Sequence, residues 1–193
     1  NLNPVIIAID GEASTGKSTQ AKKIAEKFDY NYRDSGAYYR AITLYLIQNN
    51  INSNENINHS ILDNIALEQI YKDKKLTIYL NDIDVSEKIR GFKVSVNVSN
   101  YAKIPEIRNF VYKQLRKSVK SNSLVIDGRD IGTVVFPDAT FKFFLSADPK
   151  IRAERRHKQI NDKSVKLESI EEEIKSRDNT CLLYTSDAAD DSL

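Results

Sequence analysis

Methionine and tryptophan are absent from this 193-residue chain, and cysteine occurs once, at Cys181. A single cysteine excludes a disulfide framework and a cysteine-based zinc site, and it favours a reducing compartment. No apolar run reaches the roughly 18 residues that a membrane-spanning helix needs, and no secretory signal pattern is visible. We therefore expect a cytoplasmic protein and, because methionine is missing, a processed or cut N-terminus.

A strong excess of charge is also missing. The chain has 29 Lys and Arg residues against 27 Asp and Glu residues, which gives a formal net charge of +2. This balance argues against nucleic-acid binding as the main function. The length suits one domain with a substantial core. We expect small-molecule partners, no nucleic acid, no membrane and a monomer.

The most informative segment is residues 11–18, which match the phosphate-loop pattern G-x-x-x-x-G-K-[ST]. A β-branched apolar run precedes the loop, and apolar residues at helical spacing follow it. Backbone N–H groups of such a loop converge on a polyphosphate, while Lys17 reaches the β/γ oxygens and the Ser18 hydroxyl ligates magnesium. The predicted triphosphate-binding residues are Gly11, Glu12, Ala13, Ser14, Thr15, Gly16, Lys17, Ser18 and Thr19.

Further apolar runs predict strands at 31–33, 124–127 and 141–145, and Asp148-Pro149 is a helix-start signature. Strands that alternate with helices predict an α/β fold of the P-loop NTPase type, with a doubly wound, mostly parallel sheet. In such a sheet, ligands bind at the carboxyl ends of the strands.

Residues 69–85 break this alternation, since three short apolar stretches are separated by polar turns, as in an antiparallel meander. Helices are predicted at 92–102 and 105–118, with Pro105 at the start of the second. We interpret the chain as a core at 4–36 and 119–148, a substrate-binding α+β insertion at 37–118, and a short lid at about 150–165.

Charged residues at the predicted sheet edge are candidate site groups. Asp127 ends a buried strand, a position from which a carboxylate holds magnesium directly or through water; the alternative is a turn aspartate. Arg129 suits phosphate binding, and Asp130 suits a substrate amino or hydroxyl group. Arg40 lies one helical turn beyond Gly36, where the alternative is a surface salt bridge.

Three arginines, Arg152, Arg155 and Arg156, fall on one face of the helix that begins at Pro149. In an arbitrary helix this pattern is a solvated basic face. Because the helix follows a strand of a phosphate-binding sheet, a lid that clamps the transferring phosphoryl group is the better interpretation.

Five segments together resemble the bacterial cytidylate kinase family. They are residues 11–18, 34–40, 84–90, 128–138 and 173–178, and they run in order within about residues 4–180. The segment 128–138 is highly specific to that family, whereas the phosphate loop is not. The resemblance implies a nucleoside monophosphate kinase that uses ATP and Mg²⁺ to phosphorylate CMP or dCMP.

The resemblance also implies residue roles. The cytosine would be read by Ser99, Arg108 and Asp130. The monophosphate would be held by Ser35, Arg40, Arg129 and Arg177. The transferring group would be neutralised by Lys17, Arg152, Arg155 and Arg156, and the metal would be held by Ser18 and Asp127. Glu12 stands where the family usually has proline, and we expect its charge to weaken ATP binding slightly.

Two other functions remain open, namely a different small-molecule P-loop kinase and a nucleotide-binding module without catalysis. The motifs between residues 84 and 138 and the antiparallel insertion do not fit the first of these. Phosphoryl transfer to a panel of monophosphates distinguishes all three functions.

The end of the chain departs from the family, which continues after Asp178 with an aspartate, a further arginine, a strand and a helix. Here the expected polar positions are Cys181 and Tyr184. Residues 181–193 resemble translated sequencing-adapter DNA; the alternative is a divergent natural tail. We expect a kinase domain at 1–180 and, because the family's final strand and helix are missing, an exposed apolar edge at 141–145, poor folding and weak activity.

Overall fold

The computed structural model describes residues 3–119, 122–160 and 166–190, and it describes only the backbone at residues 159, 160, 177 and 180–190. Within these residues, the central sheet consists of β1 Ile6–Gly11, β2 Asn31–Asp34, β6 Leu124–Gly128 and β7 Phe141–Leu145. Its strands are parallel and lie in the order β2-β6-β1-β7. The predicted α/β fold with a mostly parallel sheet is confirmed.

The helices are α1 Lys17–Phe28, α2 Ser35–Gln48, α3 His59–Leu62, α4 Phe92–Ala102, α5 Pro105–Ser118, α6 Pro149–Ile160 and α7 Leu167–Asp190. The predicted meander is present as β3 Leu67–Lys72, β4 Lys75–Leu80 and β5 Ile83–Asp84, in that order and antiparallel. A 3₁₀ turn lies at Lys88–Arg90, and a π-helical turn at Ile131–Val135 follows β6. Among the described residues, no helix combines the length and the apolarity needed to cross a bilayer.

Strand β1 is covered on both faces, and its successive side chains point to opposite sides of the sheet. Ile7 and Ile9 of β1 pack with Ala21 and Ala25 of α1 on one face. Ala8, between the two isoleucines, belongs to the core cluster of the other face, which includes residues of α2 and α5. The unbroken apolar run of β1 therefore reflects burial on both sides.

A buried glutamine joins the meander to the central sheet. Gln69 of β3 accepts a hydrogen bond from the Asp34 N–H at 2.9 Å and donates one to the Asp34 carbonyl oxygen at 2.7 Å. The Asp34 carboxylate in turn accepts from the Ala37 N–H at 3.1 Å and caps α2. The antiparallel segment is thereby held beside the carboxyl end of β2.

Strand β7 lies at one edge of the described sheet and pairs with β1. Its side chains Phe141, Phe143 and Phe144 are all exposed. The apolar edge expected from the sequence is therefore present in this structure.

Candidate active site

A cavity of about 410 Å³ lies at the carboxyl edge of the central sheet, between the phosphate loop and the α4–α5 pair. The phosphate loop, the start of α2 and the segment after β6 reach it because their parallel strands all end at this edge. The sequence-predicted residues that line it are residues 13–19, Ser35, Arg40, Ser99, Arg108, Asp127, Arg129, Asp130 and Arg156. Most of the predicted donor and acceptor residues thus line one cavity.

The phosphate loop has backbone conformations that favour glycine. Gly16 has φ 92° at the N-terminus of α1, and Gly11 has φ 146° at the end of β1. A Cβ atom on Gly11 would lie 2.0 Å from the Leu145 carbonyl oxygen of the neighbouring strand. Gly11 therefore permits the close approach of β7 and does not itself line the cavity.

Lys17 lies inside the loop that precedes it. Its Nζ atom donates a hydrogen bond to the Glu12 carbonyl oxygen at 2.6 Å. Burial, followed by the positive charge of Arg129, lowers the pKa of Lys17 to about 8. An anion that enters the cavity would stabilise the protonated form of this buried lysine, because charges attract each other more strongly where water is excluded.

Ser18, Asp127 and Tyr32 form a connected group below the phosphate loop. The Ser18 hydroxyl donates to Asp127 Oδ2 at 2.8 Å, and the Tyr32 hydroxyl donates to Asp127 Oδ1 at 2.6 Å. Burial, followed by the negative charge of Asp34, raises the pKa of Asp127 to about 7. The buried carboxylate thus lies in an environment that a nearby cation would stabilise.

These residues fit a magnesium site of the kind that phosphates complete. Hydroxyl and carboxylate oxygens are the ligands that Mg²⁺ prefers, and it is usually held by one or two protein groups together with phosphates and waters. In the described part of the chain no group of three or more His, Cys, Asp and Glu residues is arranged to hold a metal. Ser18 and Asp127 would leave the remaining ligand positions of Mg²⁺ to phosphates and waters.

On the α4–α5 side of the cavity, Arg108 of α5 contacts Asp130 through a short hydrogen-bonded ion pair. Tyr112, one helical turn further along α5, donates its hydroxyl to the same carboxylate oxygen. Ser99 of α4 lines the same cavity. The three residues predicted to read a base are therefore brought together, with Tyr112 added to them.

Arg40 and Ser35 lie at the start of α2. Arg40 Nη1 donates to the Ile89 carbonyl oxygen at 3.2 Å and to the Ser95 hydroxyl at 3.0 Å, which directs its guanidinium toward α4. Ser35 Oγ lies so close to Gly128 that a Cβ atom there would be 2.5 Å from it. Both residues line the cavity next to Arg129.

The three predicted lid arginines occupy different environments. Arg156 lines the cavity. Arg155 donates to the Thr15 carbonyl oxygen of the phosphate loop at 3.4 Å, in an exposed contact. Arg152 is 2% exposed, does not line the cavity, and pairs with Asp178 at 2.5 Å. One helix face therefore supplies a cavity arginine, a loop contact and a buried ion pair.

Glu12 does not line the cavity. Its carboxylate accepts hydrogen bonds from the Ser146 hydroxyl at 2.9 Å and the Ala147 N–H at 3.4 Å, and it lies 3.7 Å from Arg152. The expected weakening of ATP binding assumed an acidic side chain beside the phosphates, whereas this side chain fixes the junction between β7 and α6.

Arg177 lies outside the described side chains, as does every side chain of residues 181–193. The backbone of Arg177 belongs to α7. Its predicted contact with a monophosphate therefore stays a prediction, and the interpretation of the tail as adapter sequence stays one as well.

Sequence reasoning missed four residues of this region: Asp10, Tyr32, Tyr112 and Asp178. Asp10, at the end of β1, accepts from the Ile131 and Gly132 N–H groups at 2.8 and 2.7 Å and so positions the π-helical turn. The helical spacing of Tyr112 from Arg108 was a usable signal. A buried partner distant along the chain, such as Asp178 for Arg152, gives no local pattern.

A family model and individual relatives indicate the same family for this chain. The cytidylate kinase family model matches residues 7–182. A cytidylate kinase of Clostridium tetani is 47% identical over 181 residues, which cover 90% of this chain and 76% of the relative. A cytidylate kinase of Fusobacterium nucleatum subsp. nucleatum is 44% identical over 180 residues, which cover 92% of this chain and 81% of the relative.

Proposed function

The chain belongs to the cytidylate kinase family, and from that premise we propose that it transfers the γ-phosphoryl group of ATP to CMP or dCMP, giving CDP or dCDP. The observation that carries the proposal is the single cavity that both the phosphate loop and the α4–α5 pair line. A kinase of this type needs the two nucleotides side by side, because the acceptor phosphate must meet the γ-phosphorus in line.

The phosphate loop forms the donor side. Backbone N–H groups of residues 14–19 and the N-terminus of α1 bind the polyphosphate. Lys17 leaves the Glu12 carbonyl oxygen and neutralises the β/γ oxygens, and Arg156 approaches the transferring group from the lid helix. Arg155, which contacts the phosphate loop at Thr15, helps to neutralise the transferring group.

Ser18 and Asp127 would hold Mg²⁺, which neutralises phosphate charge and orients the β- and γ-phosphates when bound. The Tyr32 hydroxyl keeps the Asp127 carboxylate oriented through the 2.6 Å hydrogen bond. The protein's own contribution here is a fixed pair of oxygens, one at the start of α1 and one near the end of β6.

The acceptor side holds CMP. The monophosphate is bound by arginine and hydroxyl groups at the sheet edge, Ser35, Arg40, Arg129 and Arg177. The base is read by Ser99, Arg108 and Asp130. Because phosphoryl transfer leaves little covalent work to the protein, these residues act by positioning and by charge stabilisation.

The proposal is tested by incubating the purified chain with ATP, Mg²⁺ and CMP and by separating the nucleotides. The expected products are CDP and ADP in equal amounts. Binding of both nucleotides without any CDP would indicate a binding module without catalysis. Transfer to other monophosphates at rates equal to CMP would indicate a different P-loop kinase.

A further inference from the structure

Tyr112 is the one member of the Arg108–Asp130 group that does not line the cavity. Its hydroxyl accepts a hydrogen bond from Arg108 Nε at 3.0 Å and donates one to Asp130 Oδ2. Arg108 Nη2 donates to that same oxygen. The Tyr112 hydroxyl therefore completes a closed cycle of hydrogen bonds among three residues, and the other two, Arg108 and Asp130, line the cavity.

The ring of Tyr112 is placed by contacts that do not involve its hydroxyl. Arg108 and Arg116 lie one helical turn before and after it on α5, with guanidinium carbons 5.6 and 6.0 Å from the ring centroid. Arg116 is itself anchored, because it donates to the carbonyl oxygens of Val134 and Val135 at 2.9 and 3.0 Å. A phenylalanine at position 112 would thus keep the ring position and lose only the hydroxyl.

The hydroxyl of Tyr112 stays a donor throughout the neutral range. Burial, followed by the negative charge of Asp130, raises the pKa of Tyr112 well above its usual range. Oδ2 of Asp130 is consequently engaged by two donors from α5. The rotation of the carboxylate is fixed, and Oδ1 is the oxygen assigned to an incoming base.

We propose that Tyr112 is a specificity-determining positioning residue, which holds Asp130 and Arg108 so that the site selects a 4-amino pyrimidine over a 4-oxo pyrimidine. The inference rests on the proposed function, because it deepens the role of Asp130 in reading the base. The added residue, Tyr112, acts on the base through Asp130 and does not contact the base itself.

The selection follows from donor and acceptor chemistry. An ionised carboxylate only accepts hydrogen bonds, and the 4-amino group of cytosine donates, whereas the 4-oxo group of uracil accepts. Uracil would therefore set two acceptors against each other and leave a buried polar group unpaired. A carboxylate that is free to rotate, or an Arg108 that is free to turn toward the base, would relax this penalty.

The test compares CMP with UMP as acceptors for wild-type protein and for Tyr112→Phe. We expect Tyr112→Phe to lower the ratio of kcat/KM for CMP to that for UMP by about tenfold, the effect of losing a hydrogen bond to a charged group. The change should appear mainly as a higher KM for CMP, with the KM for ATP and the kcat for CMP nearly unchanged. Calorimetric affinities for CMP and UMP without ATP should change in the same ratio.

Tyr101→Phe is the matched control. Tyr101 is also buried, and its hydroxyl donates to the Ile51 carbonyl oxygen at 2.8 Å, away from the cavity. This control also loses the hydrogen bond donated by a buried tyrosine hydroxyl, so it should retain the wild-type CMP-to-UMP ratio. If Tyr112→Phe gives no soluble protein, Tyr112→Leu, which also lacks the hydroxyl, must show the loss of selectivity.

Three results would overturn the inference, and the third is distinguishable from the first two. Wild-type selectivity for CMP that stays unchanged in Tyr112→Phe, or a loss of kcat/KM that is equal for CMP and UMP, would show that Tyr112 is merely structural. A wild-type protein that phosphorylates UMP as well as CMP would instead remove the proposed reading of the base by Asp130, and the inference with it.

Discussion

The Arg152 guanidinium lies 2.5 Å from the Asp178 carboxylate, and both side chains are buried. Both members of this pair form hydrogen bonds with the backbone of Ala13 in the phosphate loop. The Ala13 N–H donates to Asp178 at 3.3 Å, and the Ala13 carbonyl oxygen accepts from Arg152 at 3.2 Å. Asp178 also lies 3.3 Å from Arg129, so one carboxylate connects the phosphate loop, α6 and the segment that follows β6.

Asp178→Ala should destabilise the protein strongly, because the buried Arg152 guanidinium loses its 2.5 Å partner and is left with the longer 3.7 Å contact with the Glu12 carboxylate. We expect a loss of about 3–5 kcal/mol in the free energy of unfolding, as for other broken buried ion pairs. Urea unfolding provides the measurement. Lys175→Ala, which breaks the exposed Lys175–Glu171 pair of 2.7 Å on the same helix, should leave the midpoint nearly unchanged. Equal midpoints for the two variants would contradict this role of Asp178.

Arg156→Ala should have the opposite effect, lowering the rate of phosphoryl transfer and leaving the stability of the protein nearly unchanged. Because Arg156 lines the cavity, its loss should lower kcat by about 10²–10³, the effect of removing one group that stabilises developing charge. Its melting temperature should stay close to that of the wild type, whereas Arg152→Ala should lower the melting temperature. A large kcat loss in a fully stable Arg152→Ala protein would instead support the catalytic role predicted for Arg152 from the sequence.

Lys17→Ala should abolish phosphoryl transfer while CMP binding survives. Lys17 belongs to the donor loop, and the proposed CMP residues lie across the cavity. We expect kcat to fall by at least about 10³, since the lysine acts on the charge that develops in transfer. Calorimetry with CMP alone is the decisive measurement, and CMP affinity lost together with activity would contradict this division of the site.

ATP affinity should depend on pH near pH 8, a range in which a lysine with an ordinary pKa stays protonated. The pKa of Lys17 is lowered to about 8 by burial and then by Arg129. The protonated form binds phosphate, so affinity in the absence of Mg²⁺ should fall as pH rises through about 8, by up to tenfold per pH unit. Lys17→Arg stays protonated over this range and serves as the control. A wild-type affinity that is constant from about pH 7 to about pH 9.5 would contradict the lowered pKa.

The sequence predicted those features that local patterns encode. The phosphate loop has the expected strand before it and helix after it, and Pro105 begins α5 as predicted. The strand at Phe141–Leu145 was also predicted correctly, as was its exposed edge. In each case the residue types alone limit the backbone conformation or the period of burial.

Contacts between distant residues were not predictable in the same way. The i, i+3, i+4 spacing of Arg152, Arg155 and Arg156 correctly indicates a helix face, yet the three arginines have different burial. What separates them is Asp178, which is 26 residues from Arg152 along the chain. Glu12 is a second case, because its direction depends on the β7–α6 junction rather than on its position in the loop motif.

Initial rates with a panel of nucleoside monophosphates, at saturating ATP and Mg²⁺, test most directly whether this chain is a cytidylate kinase whose base is read by Ser99, Arg108 and Asp130. CMP and dCMP should be phosphorylated at similar rates, and AMP should have a kcat/KM lower by a factor of about 10⁴, because the wrong base leaves buried polar groups unpaired. Rates with AMP comparable to those with CMP would contradict the assignment.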